Sequence, residues 1–91
     1  MIGALNVRVI LKKHILKFLK MLQDKERIKI KEKLLQLEKF PETTLDIKRL
    51  RGERKEVYRC RIGKYRALFY PEYKKKLIVV FDFNKREKIY D

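Results

Sequence analysis

The spacing of apolar positions along the chain changes period twice, and each change marks an element. Residues 5–10 (LNVRVI) alternate between apolar and polar, which predicts a strand. From Leu11 onward, Leu11, Ile15, Phe18 and Leu22 share one face at helical spacing, with Lys13, Lys17 and Lys20 on the other. Asp24 is placed to cap a second helix over 25–39, whose inner stripe is Ile30, Leu34 and Leu37. Two helices joined by so short a turn form an antiparallel αα-hairpin.

Pro41 ends the second helix, and residues 41–55 read mostly as loop. Beyond them the period falls to two. Residues 57–62 form a strand, Gly63-Lys64 a tight turn and residues 65–70 a second strand, which together make a β-hairpin. Pro71 stops that strand, 72–76 is a Lys-rich turn, and 77–83 (LIVVFDF) is a third strand. Its nearly continuous apolar run predicts a central strand covered on both faces. The expected fold is α+β in the order β-α-α-β-β-β: a small antiparallel-rich sheet with the N-terminal αα-hairpin packed on one side. With 91 residues, 1–91 reads as a single domain without repeat or linker. A chain of this size buries roughly 60–65% of its unfolded surface, which favours an open groove or flat surface site over a deep cofactor pocket.

Charge narrows the function. Lys and Arg number 26 against 12 Asp and Glu, a net charge of +14. Heat adaptation enriches Lys and Glu together, whereas here the bases outnumber the acids about two to one. Such an excess costs self-repulsion, so it points to a polyanionic partner: nucleic acid or ribosome ahead of an acidic protein or a membrane surface. Cys60, the one cysteine, can form neither an internal disulfide nor a Cys-based metal site, which fits a reducing, cytoplasmic setting. The longest apolar run, Leu77 to Phe81, is too short to span a bilayer. Lys12 and Lys13 interrupt the N-terminal stretch where a signal peptide would be apolar.

The hairpin concentrates the basic chemistry. Alternation puts Tyr58, Cys60 and Ile62 on one face of its first strand and Arg59 and Arg61 on the other. A two-residue or four-residue turn sets Arg61 directly across from Arg66, whereas a three-residue turn shifts the pairing. Like charges facing each other across a ladder are destabilising, by up to about 1 kcal/mol. Arginines converging on one face therefore suggest a phosphate-binding surface, since guanidinium meets phosphate bidentately. The structural alternative has them fanning into solvent or pairing with Glu53 and Glu56. Lys48, Arg49, Arg51, Arg54, Lys55 and Lys64 are candidates for wider RNA or ribosome contact, and as solvated loop residues they would still steer a polyanion. His14, among lysines, reads as exposed and incidental, and a lone histidine excludes a two-histidine nuclease. Cys60 is expected in the core with Tyr58 and Ile62. Asp82 and Glu87 have no second acidic cluster with which to hold a metal, so no metal site and no cofactor is expected.

The runs LRGERKEVYRCRIGKYRALFY (50–70) and VVFDFNKREKIYD (79–91) resemble the RelE/ParE toxin superfamily. The shared pattern is Leu-x-Gly, a Tyr-basic-x-basic strand, a hairpin ending in Tyr-Arg, an apolar strand, then an arginine and a terminal tyrosine. The resemblance implies a ribonuclease that enters the ribosomal decoding site, cuts messenger RNA by 2′-hydroxyl attack and leaves a 2′,3′-cyclic phosphate. It also implies an acidic RelB-type antitoxin as partner, in a 2:2 heterotetramer. On this chain the family's catalytic positions fall on Arg59, Arg61, Arg66, Arg86 and Tyr90.

Better-known members carry lysine where Arg59 and Arg61 stand, and a lysine there is assigned as general base. Arginine keeps its proton, so either Tyr90 takes that role or the site works by orientation and electrostatics. Asn84 replaces a common glycine, and with the sequence stopping at Asp91 the C-terminal helix of some relatives is not expected. Two rival functions remain: a ParE-like toxin that inhibits gyrase, and an RNA- or ribosome-binding protein without enzymatic activity.

Overall fold

The computed structural model describes residues 7–52 and 56–85. Its elements are β1 (Arg8–Leu11), α1 (Lys13–Lys20), α2 (Asp24–Leu35), β2 (Asp46–Arg49), β3 (Tyr58–Ile62), β4 (Tyr65–Glu72) and β5 (Leu77–Lys85). The strands form one sheet in the order β1-β5-β4-β3-β2. β1 runs parallel to β5 and every other pair is antiparallel. The α+β class, the αα-hairpin and the interior position of β5 agree with the sequence reading.

The periodicity that predicts the helices also builds the core. Ile15 and Leu19 of α1, and Ile30 and Leu34 of α2, are buried together with Leu37, which lies in the 3-10 turn Gln36–Lys39 that continues α2. They pack on the inner face of the sheet, on Cys60, Ile62, Tyr65, Ala67, Phe69, Ile78, Val80 and Phe83. Burial of the Cys60 thiol pushes its pKa up to about 11, as expected of a core cysteine. Two aromatic groups close this layer. Tyr65 stacks on Phe83 at 5.1 Å with Phe18 edge-on to Tyr65, and Tyr58 stacks on Phe69 at 5.4 Å with Phe40 edge-on to both.

Three expectations are corrected. Asp24 does not cap α2; Gln23 takes that position, and Asp24, in the first turn, pairs with Arg27. A carboxylate there still suits the positive end of the helix. The loop expected over 41–55 is interrupted by an edge strand, Asp46–Arg49, and Leu45 and Ile47 pack against the core. Pro71 does not stop β4, which continues to Glu72 with Pro71 opposite Ile78. The last pairing of β4 with β3 is Tyr58 with Phe69, so Pro71 lies where β4 has become an edge, and proline is tolerated there.

One irregularity decides which side chains share the outer face. Leu68 opposes Asp82 but Phe69 opposes Val80, so Phe81 is the extra residue of a β-bulge. The bulge resets the alternation of β5, so that Val80 and Phe83, an odd number of residues apart, both point into the core. Asp82 and Asn84 are thereby turned to the outer face beside Leu68 and Arg66.

Candidate functional site

The turn at Gly63-Lys64 has two residues, with Gly63 at φ +58°. That conformation suits glycine in a tight hairpin turn. It fixes Ile62 opposite Tyr65 and Arg61 opposite Arg66, with Arg59 opposite Leu68 in a neighbouring row. Arg59, Arg61 and Arg66 therefore do share the face turned away from the helices.

That face is neither as flat nor as purely basic as the sequence suggests. Arg59 and Arg66 are only 4% and 5% exposed, while the Arg61 side chain is 33% exposed. A buried guanidinium requires nearby compensation, and an acidic partner comes from the strand that sequence reading treats as loop. Asp46 on β2 lies opposite Arg61. Its Oδ1 is 3.5 Å from a terminal nitrogen of Arg59, and its Oδ2 is 4.0 Å from one of Arg61. Both separations exceed the ~2.7–2.9 Å of a closed charge-assisted hydrogen bond, and the Asp46 side chain is 60% exposed. Asp82, also on this face, accepts hydrogen bonds from the Asn84 amide at 2.8 Å and from the Phe83 N–H at 3.0 Å.

The other basic candidates separate. Lys48 opposes Arg59 and joins the same face. With Arg49, Leu50, Arg51 and Gly52 it lines a depression of about 590 Å³ at the open end of β2. Lys64 does not join the arginines. Its ammonium lies 3.6 Å from Glu26 of α2 and above the Tyr65 ring, on the helix side. His14 is exposed on α1, as expected. Arg54, Lys55, Arg86 and Tyr90 lie outside the described residues.

Glu56 is engaged away from the arginines. It accepts hydrogen bonds from the Tyr58 hydroxyl and, at 2.9 Å, from that of Tyr73. Those two bonds, with Arg49 nearby, hold the Glu56 carboxyl below its ordinary range. The bond to Glu56 pushes Tyr58 up to about 12, helped by desolvation.

Asp46 and the bulge at Phe81 are the parts of the site that sequence reading missed, and Asp82, weighed there only as a metal ligand, was not placed on this face. The alternation Leu45-Asp46-Ile47-Lys48 between Pro41 and Gly52 was the available signal for β2, and it carries Asp46 and Lys48 onto one face.

A five-stranded sheet with a helical hairpin on one side and arginines in register on the other defines a small α+β domain with a basic outer face. Comparison with known proteins places it in a toxin family. Residues 9–90 match the family described as ParE toxin of type II toxin-antitoxin system, parDE. A sequence carrying the toxin name RelE1 in Methanocaldococcus jannaschii is 38% identical over 80 residues, covering 86% of this chain and 88% of that protein. A chain of the archaeal RelE–RelB complex from Pyrococcus horikoshii superposes with a TM-score of 0.75 at 26% identity, covering 92% of this chain and 99% of that one. A chain of the RelB–RelE antitoxin–toxin complex from Methanococcus jannaschii gives 0.65 at 26% identity, with 90% and 95% covered. The isolated Escherichia coli RelE toxin, at 21% identity, shares the fold with a TM-score of 0.66 over 87% of this chain and 83% of that one. The chain belongs to this type II toxin family, and within it is RelE-like.

Proposed function

We propose that this toxin is an endoribonuclease that acts without a metal, cuts messenger RNA in the ribosomal decoding site and so stops translation. The observation that carries the reading is Arg61 directly across the ladder from Arg66, with Arg59 in a neighbouring row and Lys48 beside it. Arginines held by strand register present fixed donors to a phosphodiester, and a net charge of +14 draws the polyanion in. In the reaction, the ribose 2′-hydroxyl loses its proton and attacks the adjacent phosphorus. The bond to the 5′-oxygen breaks, and a 2′,3′-cyclic phosphate and a 5′-hydroxyl result. Negative charge grows on the non-bridging oxygens, where each well-placed donor contributes on the order of 10²–10³ in rate.

Arg66 and Arg61 serve as phosphate clamps in this reading, Arg66 from a position as buried as that of Arg59, which supports them. Arg86 shields the leaving group, and Tyr90 stacks on a base or joins the proton transfers. Lys48, Arg49 and Arg51 extend the contact to flanking phosphates, with Arg54 and Lys55 continuing the same basic stretch.

An acidic RelB-type antitoxin encoded alongside is the neutralising partner, in a 2:2 assembly. The RelE–RelB complexes formed by the structural relatives support an antitoxin partner, as does the basic surface. The site of action is the cytoplasm; among the described residues no helix is long and apolar enough to cross a membrane.

The test is to add purified protein to ribosomes programmed with a defined message and map the new RNA ends. Codon-phased cuts ending in cyclic phosphate are expected. Translation arrest without cuts would favour a non-enzymatic binder. DNA breaks that require gyrase would favour the rival reading, a ParE-like toxin that inhibits gyrase.

A further inference from the structure

Cleavage by 2′-hydroxyl attack needs a group to take the hydroxyl proton, and arginine cannot serve. We propose that Asp46 is that proton acceptor. The inference rests on the ribonuclease reading and deepens it.

Asp46 stands opposite Arg61 and faces both Arg59 and Arg61 at 3.5 and 4.0 Å. A phosphate gathered by those arginines is therefore brought alongside this carboxylate. Its long ion pairs hold it in place while leaving oxygen lone pairs open, and its side chain is 60% exposed towards an arriving strand. The other described groups suit the task less well. The Asp82 oxygen Oδ1 already accepts from Asn84 and Phe83. Lys48 is solvent-exposed, and an exposed ammonium is no base. Cys60 and Tyr58 point to the core face, and the Tyr58 hydroxyl donates to Glu56. A carboxylate is an ordinary general base, and this one lies within the cationic cluster that stabilises the phosphorane-like transition state.

The proton balance is simple. The Asp46 carboxylate takes the 2′-hydroxyl proton as the O2′–P bond forms. The P–O5′ bond breaks with its electron pair on O5′, which is protonated from the Asp46 carboxylic acid or from water. No co-reactant is consumed. The alternative role for Asp46, as a counter-ion that merely lowers the charge of the face, makes the opposite prediction for its removal.

Asp46→Asn, Asp46→Ala and wild type are compared on programmed ribosomes under single turnover at saturating toxin, with thermal unfolding to verify folding. The expected result is a rate lower by about 10²–10⁴-fold. The toxin concentration giving half-maximal rate should stay unchanged or fall, because a negative charge has left the RNA face. Formate should restore part of the rate to Asp46→Ala and none to Arg66→Ala. Should the Asn variant misfold, rescue of the Ala variant still decides the question. Cleavage by a folded Asp46→Asn at or above the wild-type rate would overturn the assignment and leave the ribonuclease reading intact. So would a loss that saturating toxin fully recovers. Absence of cleavage by the wild type would overturn both.

Discussion

Deleting Phe81 is the sharpest test of how the sheet is built. The register passes from Leu68 opposite Asp82 to Phe69 opposite Val80, so Phe81 has no place in the ladder. Removing it makes β5 regular. Val80 still faces in, Asp82 out, Phe83 in and Asn84 out, and each keeps its β4 partner. The loss is the half-buried Phe81 ring and its contact with Tyr70 at 5.6 Å. Half of a full phenylalanine burial is about 1–1.5 kcal/mol, and the ring pair adds roughly 0.5–1.5. One ladder hydrogen bond regained returns about 0.5–1.5 kcal/mol. The net cost is about 0–2.5 kcal/mol, small enough for the domain to remain folded. Deleting Ala67 is the control. Ala67 is fully buried opposite Phe83 in the regular part of the ladder, so its loss turns either Arg66 inward or Phe69 outward. The cost should then exceed about 4 kcal/mol, the range reached when a charge is buried without compensation. Urea unfolding followed by circular dichroism measures both. A cooperative ΔPhe81 transition beside an unfolded or molten ΔAla67 is expected. Equal damage from the two deletions would refute the register.

Glu56→Gln reports on the carboxylate shared by Tyr58 and Tyr73. Because Glu56 is held below its ordinary range in the fold, its contribution is present above the unfolded carboxylate pKa and is lost as pH falls through the lower folded value. After allowance for solvent screening it is worth about 1 kcal/mol or less. The stability gap between wild type and Glu56→Gln should therefore be widest near neutrality and close in acid; a gap that widens in acid would contradict the assignment. Lys48 and Lys64 can be distinguished by salt dependence. Lys48→Ala should weaken RNA binding and reduce the magnitude of the log–log salt slope by up to about one unit. Lys64→Ala, removing a lysine paired with Glu26, should change the slope less, and equal effects would place both lysines on the RNA face.

Much of this architecture was legible because it follows from periodicity. The stripes Ile15–Leu19 and Ile30–Leu34–Leu37 and the alternation of 57–62 are local signals, and a glycine-containing two-residue turn converted that alternation into the pairing of Arg61 with Arg66. What escaped depended on tertiary context. β2 is only Asp46–Arg49, a short edge strand whose identity comes from pairing with β3. Pro71 reads as a terminator unless the early end of β3 is known. The bulge at Phe81 is hidden within a run that is apolar on both sides. Missing β2 had a chemical consequence, since it removed Asp46 from consideration and left the outer face seeming wholly basic.

The central claim is that arginines aligned across the β3–β4 ladder stabilise the transition state of RNA cleavage. Its most direct measurement is the single-turnover cleavage rate of Arg66→Ala against wild type on programmed ribosomes, at saturating toxin and with the chemistry of the new ends determined. The account predicts cyclic-phosphate ends and a rate lower by about 10²–10³-fold, equivalent to about 2.7–4 kcal/mol of lost stabilisation. A folded Arg66→Ala that cuts at the wild-type rate would contradict it.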